Sequence, residues 1–258
     1  MYNETTRELM KEAQKAREKL AHKPGILVAV KDSQNIGLYL SNYANCLLNR
    51  QIDIFDDALF LLKNQRIPSA CTISRGMIET YAFSRLLFSK VAKIISNQNG
   101  KESVEKSLKI ILEFTNSSRF KEDEQKKIQK GTYDPKDYSF TEQAIHRFQN
   151  MLASSEHVMN ALRELYKEEM KHSQENESSL ELIYNALSEW VHPSQTSIFH
   201  NYVPETHQIH SSVGMVHLFD SARHNCALAL ILITDSMNVY DSTLKLADEI
   251  TRRHNSKN

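Results

Sequence analysis

The chain has few of the residues that interrupt secondary structure. It contains 6 glycines and 5 prolines in 258 residues, whereas an average chain of this length carries roughly 18 and 13. A sandwich or barrel of many short strands needs frequent turns, and the sequence lacks the residues that make them. The scarcity of turn-forming residues favours a few long helices.

Cysteine is also scarce, and the cysteines are far apart. Cys46, Cys71 and Cys226 form no CxxC pair, so the common zinc and redox motifs are excluded. Each cysteine lies in an apolar helical pattern, which is typical of buried free thiols in a reducing cytosol. Glycine-rich phosphate loops and the Gly-x-Ser-x-Gly elbow of hydrolases are missing too, which excludes the common nucleotide-binding and hydrolase motifs.

No long hydrophobic run is present. The longest apolar run covers residues 227–233, far short of the roughly 20 residues that span a membrane. The first twenty residues are charged where a signal peptide needs an apolar centre. The sequence therefore predicts a cytoplasmic protein without a membrane partner.

Neither sign of charge is in excess. Lys and Arg number 32, and Asp and Glu also number 32, which gives a net charge of zero. A general nucleic-acid coat protein normally has a basic excess, because phosphate contacts supply most of its non-specific affinity. The balance disfavours that class and leaves room for a small local site.

Apolar residues recur with helical spacing along most of the chain. The pattern predicts an all-α fold: a single bundle of about seven or eight helices spanning residues 1–258. Helices are expected at about 3–22, 27–49, 52–64, 69–96, 102–116 and 142–169, followed by a short helix over 180–192 and a long last helix over 212–253. A polar excursion at about 119–140 is expected to be flexible, and residues 193–211 are expected to be irregular.

Arg75 and Glu79 form the first candidate site. They stand four residues apart on the most apolar helix of the chain, so they share one face. Charges on such a helix are unfavourable unless they are paired. Two interpretations follow: an internal ion pair with a structural role, or a polar site built into the bundle.

The stretch from Ser188 to Pro193 is the second candidate. It contains Ser188, Glu189, the single Trp190, and His192 just before Pro193. A histidine held at the end of a helix and facing a loop suits general acid–base chemistry near neutral pH. The alternative is a histidine that caps or hydrogen-bonds the helix end.

Two patterns in the sequence match the spacing of metal ligands, but neighbouring residues disfavour a metal site at both. His217, Asp220 and His224 share a stripe of the last helix, but apolar residues lie in the same turns and a chance spacing among 11 histidines is easy. Glu169-x-x-His172 and Glu189-x-x-His192 match the spacing of di-iron bundles, yet Glu169 lies in a polar run. We expect no metal and no cofactor.

Two segments resemble a family of bacterial helical domains whose function is unknown. They are IPSACTISRGMIETYAFSRLL, with Arg-Gly-x-x-Glu, and IYNALSEWVHPS, with Leu-Ser-x-x-x-His-Pro. That family is similar in architecture to the HEPN helical bundles, many of which are metal-independent ribonucleases of toxin and antiphage systems. The resemblance implies a HEPN-like fold, a homodimer, and RNA or a nucleotide as partner.

The resemblance also implies roles for particular residues. His192 would act as general acid or base on the RNA 2′-hydroxyl or on the leaving oxygen. The HEPN signature Arg-x(4–6)-His is altered here, because Asn185 stands at the arginine position as Asn185-x(6)-His192. Arg17-x(4)-His22 matches the signature on the charged first helix, where no other motif accompanies it. We expect Arg75 to supply the missing cation and to lie close to His192.

Two functions remain open from the sequence. The first is a HEPN-like protein of a bacterial defence, toxin-type or regulatory system that cleaves RNA or binds a nucleotide at Arg75, Glu79 and His192, with Ser188, Glu189, Asn185 and Trp190 in supporting roles. The second is a non-enzymatic interaction or regulatory module in which the same residues form a structural polar network. An open cleft shared by both motifs would favour the first, and a closed network the second.

Overall fold

A computed structural model describes residues 4–25, 36–97, 100–115, 156–194, 197–198 and 208–255. Over these residues the fold is all-α, as the sequence predicted, with no strand among them. Eight helices fall within them: α1 Glu4–Glu18, α2 Ile36–Lys63, α3 Ile67–Asn97, α4 Lys101–Thr115, α5 Val158–Ser173, α6 Ser179–Ser188, α7 Gln208–Leu230 and α8 Leu232–Asn255. None of these helices is long and apolar enough to span a membrane.

α3 is the central helix of the bundle. It packs against α2, α4, α5, α6, α7 and α8, and at 31 residues it is roughly 46 Å long. Pro68 lies in its first turn, where a missing N–H is tolerated. Buried side chains project from several sides of α3 into a core shared by the described helices, as expected for a helix that is apolar nearly all round.

α2 and α8 make the most extensive helix pair, and a glycine permits it. A Cβ on Gly37 would lie 2.1 Å from Thr251 Oγ1 and 2.4 Å from the carbonyl oxygen of Ala247. Real Cβ atoms essentially never approach so closely, so the first turn of α2 contacts α8 backbone to backbone. This contact depends on the absence of a side chain at position 37.

Three helix boundaries differ from the sequence prediction. α2 is one helix where two were expected over 27–49 and 52–64, because no glycine or proline interrupts 49–52 and Gln51 and Ile52 are both buried. The last helix is divided at Ile231, where Thr234 N–H donates to Ile231 C=O at 3.0 Å. α7 begins at Gln208, so 208–211 are helical rather than irregular.

The end of α6 is the correction that matters most for the site. α6 ends at Ser188, not at His192, and residues 189–193 form a turn. Trp190 N–H donates to Leu187 C=O at 3.2 Å and Val191 N–H to Ser188 C=O at 3.0 Å, which is the tighter spacing common at helix ends. Because the residue before a proline avoids the helical region, His192 leaves the helix.

Some predictions lie outside the described residues. They are residues 27–35 of the expected helix over 27–49, the flexible excursion at about 119–140, the first half of the expected helix over 142–169, and residues 195–196 and 199–207 of the expected irregular segment.

Candidate functional site

An open cleft lies between α2, α3, the beginning of α5 and the turn after α6. Its volume is about 1030 Å³, at the upper end of the range for small-molecule sites. Its ionisable side chains come from all four elements: Arg50, Asp53 and Asp57 from α2, Arg75 and Glu79 from α3, His157 before α5, and His192 after α6. We call this space the cleft.

Arg75 and Glu79 form an ion pair at the wall of the cleft. Arg75 Nη2 lies 2.9 Å from Glu79 Oε1, with side chains 21% and 19% exposed. Tyr184 of α6 donates its hydroxyl to Glu79 Oε1 at 3.1 Å, and the Arg75 guanidinium lies 4.9 Å above the Tyr184 ring. The Nε of Arg75 is buried and has no hydrogen-bond partner among the described residues. The guanidinium is thus fixed in orientation and keeps an N–H unused.

Tyr184 acts as a donor because its hydroxyl stays protonated. Burial raises the pKa of Tyr184, and the negative charge of Glu79 raises it further. Both effects disfavour the phenolate. Sequence reasoning missed this residue, although Tyr184 and Ser188 stand four apart on the α6 face that leads to His192.

His192 is exposed in the turn that follows α6. Its carbonyl oxygen accepts from Ser194 N–H at 2.7 Å, so the turn is held through its backbone. Both His192 and Arg75 line the cleft. The structure therefore brings the two sequence motifs to one open cleft, and a shared open cleft favours a ligand site over a closed structural network.

The other four candidate residues are not among those that line the cleft. Ser188 Oγ donates to Tyr184 C=O at 2.8 Å, which uses the hydroxyl within its own helix. Trp190 is buried, and its ring stacks on Phe219 with centroids 6.1 Å apart. Asn185 and Glu189 are exposed on the face of α6 that turns away from Tyr184. Their predicted supporting roles remain untested.

Arg50 and His157 are among the cleft residues that were not found from the sequence. Arg50 is exposed on α2, and its Nε donates to Thr80 Oγ1 at 3.2 Å. His157 caps α5, and its Nδ1 accepts from Met159 N–H at 3.1 Å, which places the ring proton on Nε2. Nothing in the sequence marks Arg50 as a cleft residue or His157 as a cap.

Neither Arg17 nor His22, the pair that matches the HEPN signature, is among the residues that line the cleft, although Asp53, the partner of His22, is one of them. Arg17 contacts Asp56 through both carboxylate oxygens, at 2.9 and 2.7 Å. His22 Nε2 lies 2.7 Å from Asp53 Oδ1, with both side chains more than half exposed. These contacts attach the end of α1 to α2, so a structural role accounts for both residues.

The residues of the two metal patterns are used in other contacts. Asp220 pairs with Arg223 at 2.8 Å, and His224 Nδ1 lies 2.9 Å from Thr6 Oγ1; the side chain of His217 lies outside the described residues. Glu169 accepts from Ser178 Oγ and from Leu180 N–H and so anchors the start of α6. Within the part of the chain that the structure describes, no cluster of three or more potential ligands could hold a metal ion.

Comparison of the chain with family models, curated proteins and solved structures gives no match. The resemblance to HEPN-like bundles therefore depends on the two sequence motifs alone. Function has to be argued from the chemistry of the cleft.

Proposed function

We propose that the cleft binds a short stretch of RNA and that His192 and Arg75 cleave it without a metal ion. The single observation that carries the proposal is the convergence of the two side chains on one open cleft. They come from segments more than 100 residues apart in the chain, and each belongs to one of the two motifs that carry the family resemblance. A nucleotide is the minimal ligand of the same site.

The proposed reaction is an internal transfer at a phosphodiester. The His192 imidazole removes the proton from the 2′-hydroxyl while that oxygen attacks phosphorus. The bond to the 5′-oxygen breaks, and this oxygen takes a proton from water. The products are a 2′,3′-cyclic phosphate and a free 5′-hydroxyl. Charge develops on the phosphate oxygens, where a guanidinium is stabilising.

The contacts of Arg75 suit this role. Glu79 and the Tyr184 ring hold the guanidinium in place, so little reorganisation is needed when charge develops. The same Glu79 partly neutralises the arginine, and the cleft carries the carboxylates of Asp53 and Asp57 as well. The carboxylates of the cleft therefore outnumber its two arginines by one, so a phosphate is favoured only where it lies directly against a guanidinium.

The experiment compares RNA cleavage by wild type, His192→Ala and Arg75→Gln, with His172→Ala as control. His172 is an exposed histidine on α5 that does not line the cleft. We expect His192→Ala to lose activity about 10²- to 10⁴-fold, as for loss of a general acid or base, and His172→Ala to keep it. Growth arrest on expression of wild type, relieved by His192→Ala, would support the same role. Absence of cleavage by wild type, or full activity of His192→Ala, would refute it.

The resemblance further supports a place for the protein in a bacterial toxin-type or defence system, acting as a cytoplasmic homodimer. Sedimentation at micromolar concentration tests the dimer. A mass of one chain, about 29.8 kDa, would contradict it.

A second candidate function is a non-enzymatic interaction module. Leu182, Val191 and Ile198 are large apolar side chains that are 50%, 39% and 55% exposed close to the motif, and exposed apolar groups often mark contact surfaces. The Arg75–Glu79–Tyr184 contacts would then serve stability alone. In that case Arg75→Gln lowers the melting temperature while wild type neither binds nor cleaves RNA.

A further inference from the structure

A smaller pocket lies beside the cleft, and the two share lining residues. Its volume is about 350 Å³, and it lies between α2, α3, the end of α4 and the beginning of α5. Arg50, Glu79, His157 and Val158 line both spaces. A ligand can therefore occupy the two together, with these four residues at the boundary.

The inner part of this pocket is aromatic. Tyr43, Phe83 and Phe114 line it together with Leu47, and the rings of Phe83 and Phe114 are 4.7 Å apart and tilted by 54°. Tyr43 donates its hydroxyl to the carbonyl oxygen of Phe114 at 3.1 Å, which fixes the position of its ring. Phe114 is fully buried and Phe83 nearly so, so Tyr43 is the least buried of the three rings and the one on which a planar ring of the ligand would stack.

The boundary between the two spaces carries hydrogen-bond donors. Among the described residues, Arg50 is engaged only through its Nε, by Thr80, and no carboxylate pairs with it. His157 uses Nδ1 to accept from Met159 N–H, so its Nε2–H remains as a donor. Glu79 also lines this boundary, but its carboxylate is paired with Arg75. The Arg50 guanidinium and the His157 N–H are then the groups that suit an anionic group attached to a ring.

We infer that the smaller pocket is a nucleobase subsite and that Arg50 and His157 hold the phosphate of the same nucleotide. The inference rests on the proposed function and specifies its substrate. The pocket volume lies within the range of small-ligand sites. Because stacking is available to every base, the subsite accepts different bases with similar affinity. The smallest ligand of the whole site is then a nucleoside monophosphate.

The test is calorimetric titration of the full chain with AMP, ribose 5-phosphate and adenosine. We expect AMP to bind at least about tenfold more tightly than ribose 5-phosphate, as base stacking implies. Tyr43→Ala should abolish that advantage and leave ribose 5-phosphate binding unchanged. Tyr43→Phe, which loses the same hydroxyl but keeps the ring, should retain it. Arg50→Gln should weaken both phosphates and leave adenosine unaffected.

A second variant covers the case in which Tyr43→Ala does not fold. Thr115 is half-buried and lines the pocket, so Thr115→Trp should fill it and remove the advantage of AMP. Equal binding of AMP and ribose 5-phosphate by wild type would overturn the nucleobase subsite and leave the proposed function standing. If wild type binds none of AMP, ribose 5-phosphate and RNA, both the proposed function and the subsite are overturned. Unchanged binding by Arg50→Gln would overturn the phosphate position.

Discussion

Gly37→Ala should destabilise the protein by separating α2 from α8. The new Cβ would lie 2.4 Å from the carbonyl oxygen of Ala247, where an ordinary contact begins at 3.4 Å. The Thr251 hydroxyl, at 2.1 Å, can rotate away, but the backbone oxygen cannot. One helix must therefore shift by about 1 Å, the difference between these two distances. Shifts of this kind in a packed interior cost about 1–3 kcal/mol.

The better helix propensity of alanine offsets part of that cost. Alanine is favoured over glycine by up to about 1 kcal/mol inside a helix, and by less in the first turn, where Gly37 stands. A net loss of about 1–2 kcal/mol remains. At about 2–4 °C per kcal/mol for a chain of this size, the melting temperature should fall by about 2–8 °C.

The matched control is Gly76→Ala. Gly76 stands inside α3, and a Cβ there would meet the side chain of Ile54, with Cδ1 at 3.4 Å and Cγ1 at 4.0 Å. That contact is ordinary, so the helix propensity of alanine should leave stability unchanged or raise it by up to about 1 kcal/mol. Thermal unfolding followed by circular dichroism measures both variants. A Gly37→Ala protein as stable as wild type would refute the close approach of the two helices.

Three further predictions concern stability and reactivity. Cys71 and Cys226 are buried with Sγ atoms 3.6 Å apart, and the hydrogen bond to Cys226, together with burial, raises the pKa of Cys71. A thiol reagent should therefore label only the exposed Cys46 in the folded protein. Rapid labelling of more than one thiol would disprove the buried pair. Burial raises above 10.0 the pKa of five tyrosines: Tyr43, Tyr81, Tyr166, Tyr184 and Tyr240. Above about pH 10 the folded state therefore keeps protons that the unfolded state loses, so the free energy of unfolding in urea should be constant up to about pH 10 and decline above it. A free energy of unfolding that stays constant to pH 11 would be inconsistent with these shifts. Ser178 caps α6 by accepting from Glu181 N–H at 3.1 Å, so Ser178→Ala should lower stability by about 0.5–2 kcal/mol, whereas Ser179→Ala, at an exposed neighbour, should not.

The parts of the fold that depend on local pattern could be predicted from the sequence. α3 was expected over 69–96 and covers Ile67–Asn97, because its apolar residues and Pro68 give a clear local signal. The sequence predicts two helices in place of α2, with the polar residues Asn49, Arg50 and Gln51 at the division. Tertiary packing accommodates these residues in one helix, because Gln51 is buried and Arg50 lines the cleft.

The site could be predicted only in part, for a physical reason. The ion pair of Arg75 and Glu79 follows from a spacing of four on one helix, and Pro193 marks the helix end near His192. Arg50, His157 and Tyr184 reach the same region from three other segments. Contacts between distant segments depend on how helices pack, and no local pattern encodes them.

The most direct test of the central claim is the rate at which purified protein cleaves a short RNA in the presence of a metal chelator, compared between wild type and His192→Ala. The account predicts cleavage by wild type with a 2′,3′-cyclic phosphate product, and a rate about 10²- to 10⁴-fold lower for the folded variant. Equal rates for the two proteins, or no cleavage by wild type, would contradict it.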